Sequence, residues 1–339
     1  MRRRNLGTLA GIALVGLALS GCSASAAGGN GNGGEAKHVL RVAFNQDINH
    51  PQAQALTELS DKLSAATDGQ YSLQLYTDET LGDQASTIEQ VQSGTIDLSV
   101  VAGSLLENFE PDFAVVNLPY VYDSPEQQMK VLNDPQIMGD LYDAVLDDNI
   151  KVLTAYHGGV RNVYSSKGPV KEPADLKSQK IRVIGSDTNV EMMKLMGGIG
   201  TPMAQGEVYT AIQSGVLDGA ENNELIYSTL SHDEIAPYYS YTKHLMMPDY
   251  LIASPKVWDG MDKETQETFT KLLSESVDTE LDLFAKAVDK AKAESEKAGA
   301  KFNDADVDAF REATKPLIDS KVTTDRTKAI YDAIQKSRG

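Results

Sequence analysis

The chain has 339 residues, with 49 acidic side chains against 31 basic ones, a formal net charge of −18 and one cysteine. Such a surface repels nucleic acid and anionic lipid headgroups, one cysteine excludes an intrachain disulfide, and the length exceeds the usual size of one domain. It also repels small anions, so an anion binder built from this chain must gather its few positive charges inside a cleft.

At the start of the chain, Arg2, Arg3 and Arg4 precede an apolar stretch from Leu6 to Leu19 that is too short to span a bilayer comfortably. This predicts a signal peptide over 1–21. Leu19-Ser20-Gly21-Cys22 is the small-residue pattern of lipoprotein processing, so Cys22 is expected to carry lipid and become the new N-terminus. Residues 22–36 hold almost nothing that could be buried and read as a lipidated tether. No second apolar run of spanning length follows. The mature chain, at −21 once the three leader arginines are gone, is expected to be exported and held to the outer face of the cell membrane by its lipid alone.

Folding is expected from about Lys37. Val39 to Phe44 reads as a buried strand, and a helix follows with Pro51 in its first turn, Leu56, Leu59 and Leu63 on one face, and Asp68-Gly69 at its end. Tyr71 to Tyr76 is a second strand, Gln84 to Gln92 a helix stopped by Ser93-Gly94, and Ile96 to Val101 a third strand. Strand-helix-strand units of this length imply parallel pairing with helices on both sheet faces. Strands continue at Ile150 to Tyr156, Asn162 to Ser165 and Lys180 to Ile184. Helices follow from Thr188 to Met196, closed by Gly197-Gly198, and from Glu207 to Gln213, capped by Gly215. From Lys263 to about Lys297 no Pro or Gly interrupts a helical pattern. As one helix it would be ~50 Å long, enough to brace two domains. Two further helices are predicted near 304–318 and 323–336.

Zinc-protease spacing, a Gly-x-Ser-x-Gly elbow and a phosphate loop are missing, and Gly197-Gly198-Ile199-Gly200 follows a helix rather than a strand. The histidines His38, His50, His157, His232 and His244 lack metal-ligand spacing. The chain is therefore read as a binder rather than an enzyme, with no cofactor and no metal.

Three stretches carry a family likeness: Gly158-Gly159-Val160-Arg161; Asp175-Leu176-Lys177-Ser178-Gln179-Lys180-Ile181-Arg182-Val183; and Thr201-Pro202-Met203-Ala204-Gln205-Gly206-Glu207-Val208-Tyr209 running into Gly215-Val216-Leu217-Asp218-Gly219-Ala220-Glu221-Asn222-Asn223. Together with His50-Pro51, Thr80-Leu81-Gly82, Gly94-Thr95-Ile96-Asp97 and Asn117-Leu118-Pro119-Tyr120, they resemble the DctP-type solute receptors of tripartite ATP-independent periplasmic (TRAP) transporters over residues 38–300. The resemblance implies an α/β, two-lobed periplasmic-binding-protein-like fold with a ligand cleft between domains and a long bracing helix. It places domain I at 37–158 plus 247–286 and domain II at 159–246 plus 287–339.

Arg182 sits in an otherwise apolar strand, where a buried guanidinium must be paired. By resemblance it grips the ligand carboxylate, a task suited to a planar fork that keeps its charge. A structural salt bridge is the alternative. Arg161, after a Gly-Gly turn, resembles the second arginine beside that carboxylate, against a solvated loop charge. Asn222 resembles the family's ligand amide, against a turn role, and Glu221 and Asp218 read as turn formers. Asn45, at the carboxyl edge of the first strand, Gln205, Gln84 and His50 complete the candidates. Helix-start polarity and a packed ring are the alternatives for the last two, and Tyr209 reads as core.

Glu221-Asn222-Asn223, His232-Asp233-Glu234, Pro237-Tyr238-Tyr239 and His244 look most like the branch that binds uronates and related sugar acids. That branch usually carries an acid near Gln84 and a Tyr after the histidine at 232, where this chain has Asp233. A hexuronate is therefore preferred over an aldonate or a keto-sugar acid. The implied role is to deliver a small carboxylate to TRAP membrane permease subunits. An extracytoplasmic sensor presenting bound sugar acid to a signalling receptor, and a carbohydrate-acid enzyme, are the alternatives.

Overall fold

The computed structural model describes residues 37–338. The predicted signal peptide, Cys22 and the tether lie outside the described residues.

Nine strands form one mixed sheet: β1 (His38–Ala43), β2 (Tyr71–Tyr76), β3 (Leu98–Ala102), β4 (Lys151–Ser165), β5 (Lys180–Val183), β6 (Ile199–Pro202), β7 (Gly219–Asn222), β8 (Tyr238–Ala253) and β9 (Lys301–Asp304). Their order is β2-β1-β3-β8-β4-β7-β5-β6, with β9 added beside β8. At one end β1 pairs in parallel with β2 and β3; at the other β5 pairs in parallel with β6 and β7. These are the two α/β lobes. Between them β4 and β8 run antiparallel, with Ala253 opposite Lys151 and Tyr238 opposite Ser165, so both strands pass from one lobe into the other.

The local signals act as expected at most boundaries. Pro51 opens the helix Pro51–Ala66, and Asp83 caps the helix Gln84–Ser93, which Gly94 ends in the left-handed region at φ 72°. Leu56, Leu59 and Leu63 turn one helical face into the first lobe's core with Val42, Leu73 and Ile88. In the second lobe Tyr164, Ile212, Leu217, Tyr227 and Tyr239 form a separate cluster.

The sequence reading needs two corrections here. Lys151–Ser165 is one continuous strand, not two, and Gly158-Gly159 is no turn. Register shifts fall between His157 and Val160 and between Arg161 and Val163, so the pair makes a bulge within β4. Gly159 sits at φ 89°, and a Cβ there would come within 2.5 Å of the Asn223 side chain, which donates to Gly158 O. Glu221 and Asn222 likewise form no turn, since Gly219–Asn222 is β7, while Asp218 stands at the bend that leads into it. The pattern also gave no notice of β8, whose Tyr238–Ala253 segment lacks simple alternation, or of the helices Pro125–Leu132 and Pro135–Asp143.

The long run is one helix, Lys263–Ala298, opened by the Asp262 side chain accepting from Thr265 N and ended by Gly299 at φ 107°. Phe269, Leu273 and Val277 pack on the larger core, while Phe284 and Ala291 join Leu225. The helix therefore braces elements of both lobes. At its middle Glu280 is fully buried; its Oε2 accepts from His157 N at 3.3 Å beside the bulge, and its Oε1 has no partner. Burial, with Asp249 adding to it, raises this carboxyl well above its ordinary range.

A raised carboxyl stabilises the fold most below its unfolded value, and that contribution is lost as pH rises toward the folded one. Glu280→Gln, a neutral mimic of the protonated acid, should match wild type in denaturant unfolding near pH 4.5 and become the more stable protein at pH 8. The gap should open by at most ~1.4 kcal/mol per pH unit. Parallel stability-pH curves would show that Glu280 stays ionised.

Candidate functional site

The site forms where the carboxyl ends of the parallel strands face each other. Arg182, on β5 beside Ala220 of β7 and Thr201 of β6, is 4% exposed. Its Nε donates to Met203 O at 2.8 Å, which turns the rest of the fork into a cavity of ≈ 270 Å³ lined also by Glu79, Gln84, Leu105 and Gln205. No carboxylate among the described residues lies within ion-pair distance of it. Burial, and then the like charge of Arg161, pull its pKa down to about 10.

Arg161 is treated differently. It lies buried within β4, not in a solvated loop, and Glu221 faces it from β7. The guanidinium donates from Nε and Nη2 to the Glu221 carboxylate, from Nη2 to Glu221 O at 2.7 Å, and from Nη1 to Asn222 Oδ1 at 3.1 Å. His244 Nε2 stands 3.3 Å from Glu221 Oε2. Burial works to raise the Glu221 carboxyl, but Arg161 and His244 outweigh it and hold it at about 2. Glu221 is thus a buried counter-charge rather than a turn former. Two arginines sit close together, one neutralised by the protein and one not.

A second cavity of ≈ 240 Å³ adjoins the first, with Glu79 and Gln205 belonging to both walls. Asn45, Gln46, Asp47, Asp78, Tyr209 and His232 are among its other lining residues. Gln205 meets the first lobe here: its amide exchanges two 3.1 Å hydrogen bonds with Gln46 and accepts from Asn45 Nδ2 at 3.4 Å. Gln84 faces the first cavity while its Oε1 accepts from Ala102 N at 2.6 Å. His232 is fixed by Tyr164, whose hydroxyl lies 2.7 Å from Nδ1, and burial and Arg182 lower its pKa to about 4, leaving a neutral ring.

The structure therefore brings Arg182, Gln205, Gln84 and Asn45 to two adjoining cavities. Asn222 lies on β7 next to the strand of Arg182, Arg161 on β4 beyond it, and neither lines these cavities. His50 lies elsewhere; its Nδ1 accepts from Gln52 N to cap the helix Pro51–Ala66, and its ring packs edge-on against Phe44 and Phe284. Tyr209, read as core, is half-exposed on the second cavity and donates to Glu234. Glu79 and His232 were not among the sequence candidates. Glu79 precedes Thr80-Leu81-Gly82, but nothing in its neighbours signals that it turns inward.

An uncompensated guanidinium in a cavity wall, with amides beyond it, can hold a small acid whose far end is hydroxylated. The comparisons agree with a binding protein. Residues 44–325 match the family model DctP, described as "Bacterial extracellular solute-binding protein, family 7". A TRAP periplasmic solute-binding protein from Anaerococcus prevotii, solved with bound glucuronate, is similar at 35% identity and TM-score 0.85, covering 89% of this chain and 98% of its own. One from Bradyrhizobium sp. BTAi1, solved with galacturonate, has 32% identity and TM-score 0.84, covering 88% and 99%. The uncharacterized protein YiiZ of Salmonella typhimurium is 32% identical across 88% of this chain and 92% of its own. With the match spanning both lobes, the chain belongs to the DctP family of bacterial extracellular solute-binding proteins, the TRAP type.

Proposed function

We propose that this protein is the extracytoplasmic receptor of a TRAP transporter and that it closes over a hexuronate or closely related sugar acid for delivery to a membrane permease. The observation that carries the reading is Arg182. A buried guanidinium without a protein carboxylate is costly unless a ligand supplies the missing charge. Its planar fork suits a two-toothed carboxylate contact, and closure of a cleft around a small ligand strengthens each polar contact by excluding water. Asn45, Gln84 and Gln205 offer the far end polar amides with which a hydroxylated ligand can add or exchange hydrogen bonds. The bound uronates of the two structural relatives favour the same ligand class.

The proposed domain division, 37–158 plus 247–286 against 159–246 plus 287–339, puts its strand crossings at the bulge, where Val160 pairs with Met246. A bulge lets two strands bend without breaking the sheet, as a hinge requires. We further propose attachment by lipid at Cys22. No helix among the described residues is long and apolar enough to cross a membrane.

Hexuronates should raise the unfolding temperature strongly, whereas succinate, lactate and the matching neutral hexoses at equal concentration should do little. Strong stabilisation by a C4 dicarboxylate alone would overturn the ligand class. Arg182→Ala should lower affinity by at least ~100-fold, because one side of a buried charge pair is lost. Arg182→Lys should also bind poorly, since a point ammonium cannot reproduce the paired hydrogen bonds. Calorimetry giving either folded variant near-wild-type affinity would remove Arg182 as the anchor. For the attachment, Cys22→Ala should release the protein from the cell envelope, and a chain beginning at Lys37 should bind ligand normally in solution. Membrane association of that shortened chain would place the anchor elsewhere.

A further inference from the structure

Glu79 is the one acidic side chain shared by both cavities. It stands in the loop between β2 and the helix Gln84–Ser93, where Asp78 and Glu79 both adopt the left-handed region, at φ 59° and 55°. Side chains with a Cβ avoid that region, and two in succession persist only where the surroundings hold them. Here Asp78 N donates to Gln46 O at 3.0 Å, Glu79 N to Phe44 O at 3.3 Å, and Gly82 N to Glu79 O at 2.8 Å. The result turns the Glu79 side chain across the cleft.

Its two carboxyl oxygens then meet different surroundings. Oε2 packs against the second lobe at Gly206, so closely that a Cβ there would come within 2.7 Å of it. Oε1 is buried and has no hydrogen-bond partner. Burial, and then Asp83, raise this carboxyl, while Arg182 works to keep it charged. Buried polar atoms in native proteins are almost always paired, so an unpaired acceptor on a residue that lines both cavities points to a donor that arrives with the ligand.

We propose that Glu79 selects the far end of the bound acid: its Oε1 accepts a ligand hydroxyl, and its charge turns away any acid that presents a second carboxylate there. This rests on the sugar-acid reading above and sharpens it from acids in general to polyhydroxy monoacids. Two ionised carboxylates cannot share a hydrogen-bond distance without one taking up a proton, so the penalty falls on diacids and spares uronates.

The test is calorimetry of wild type and Glu79→Gln with D-glucuronate, D-galacturonate and the aldarates of the same carbon skeletons, D-glucarate and galactarate. Wild type should favour the better uronate over its aldarate by at least ~100-fold. Glutamine keeps an acceptor oxygen and the side-chain volume but replaces the charge with a donor. In Glu79→Gln the uronate should weaken by no more than ~10-fold and the aldarate should tighten, shrinking the preference at least ~10-fold. Comparing the two proteins cancels whatever the open chain of an aldarate costs. An unchanged preference in Glu79→Gln would overturn the assignment. So would wild type binding an aldarate as tightly as its uronate, which needs no variant. If wild type binds no uronate at all, the ligand class falls and this assignment with it, whereas uronate binding with unchanged selectivity removes Glu79 alone.

Discussion

Two guanidiniums sit near each other in a protein with a large excess of acid, and the protein neutralises only one of them. Arg161 is closed into Glu221, Asn222 and the Glu221 main chain, while Arg182 spends a single N–H on Met203 O. Pairing both would give a stable pair of strands and no binding site. Pairing neither would place two uncompensated charges in a low-dielectric interior, which folding could not tolerate. Answering one and leaving the other unpaired keeps the fold and leaves a demand for one counter-charge at the cavity wall.

The rest of the architecture positions that demand. Arg182 needs β5 to be flanked by β6 and β7, because their backbones fix its direction and bring Met203 alongside. Glu221 reaches Arg161 only because β7 pairs antiparallel with β4, with Val163 opposite Glu221. The first lobe contributes the amides of Asn45 and Gln46 and the turned carboxylate of Glu79, all from loops just beyond the carboxyl ends of β1 and β2. Arg182 and Gln205 come from the second lobe and Asn45, Gln46 and Glu79 from the first, and Gln205 meets Gln46 where the two sets join.

The proposed hinge is also local. The bulge at Gly158-Gly159 interrupts the register of β4 and β8 where they pass between lobes, Asn223 fills the space that a side chain at Gly159 would take, and Met247 O fills it at Gly158. The long helix lies across the same region and buries Glu280 beside His157 N. Burial raises this carboxyl, and its one contact is a main-chain N–H rather than a cation.

Much of this was legible from residue order because the signals were local. Proline, glycine and Asp caps marked helix ends, leucine spacing marked buried faces, and the absence of Pro or Gly from Lys263 onward marked a single long helix. The α/β character, two lobes, and Arg182 as an isolated charge in an apolar strand all followed from such patterns and from motif resemblance. Other features could be decided only by tertiary structure, because they depend on what lies across the sheet. Gly158-Gly159 looks like a turn until β8 is beside it, and Glu221 looks like a turn residue until β4 brings Arg161 opposite. His50 caps a helix away from the cavities, Tyr209 leaves the core for a cavity wall, and Glu79 faces inward through backbone angles that no neighbouring residue announces. Sequence fixes the charge a side chain carries and the element it joins; only the packing of distant strands determines which charges are answered within the protein and which are left for a ligand.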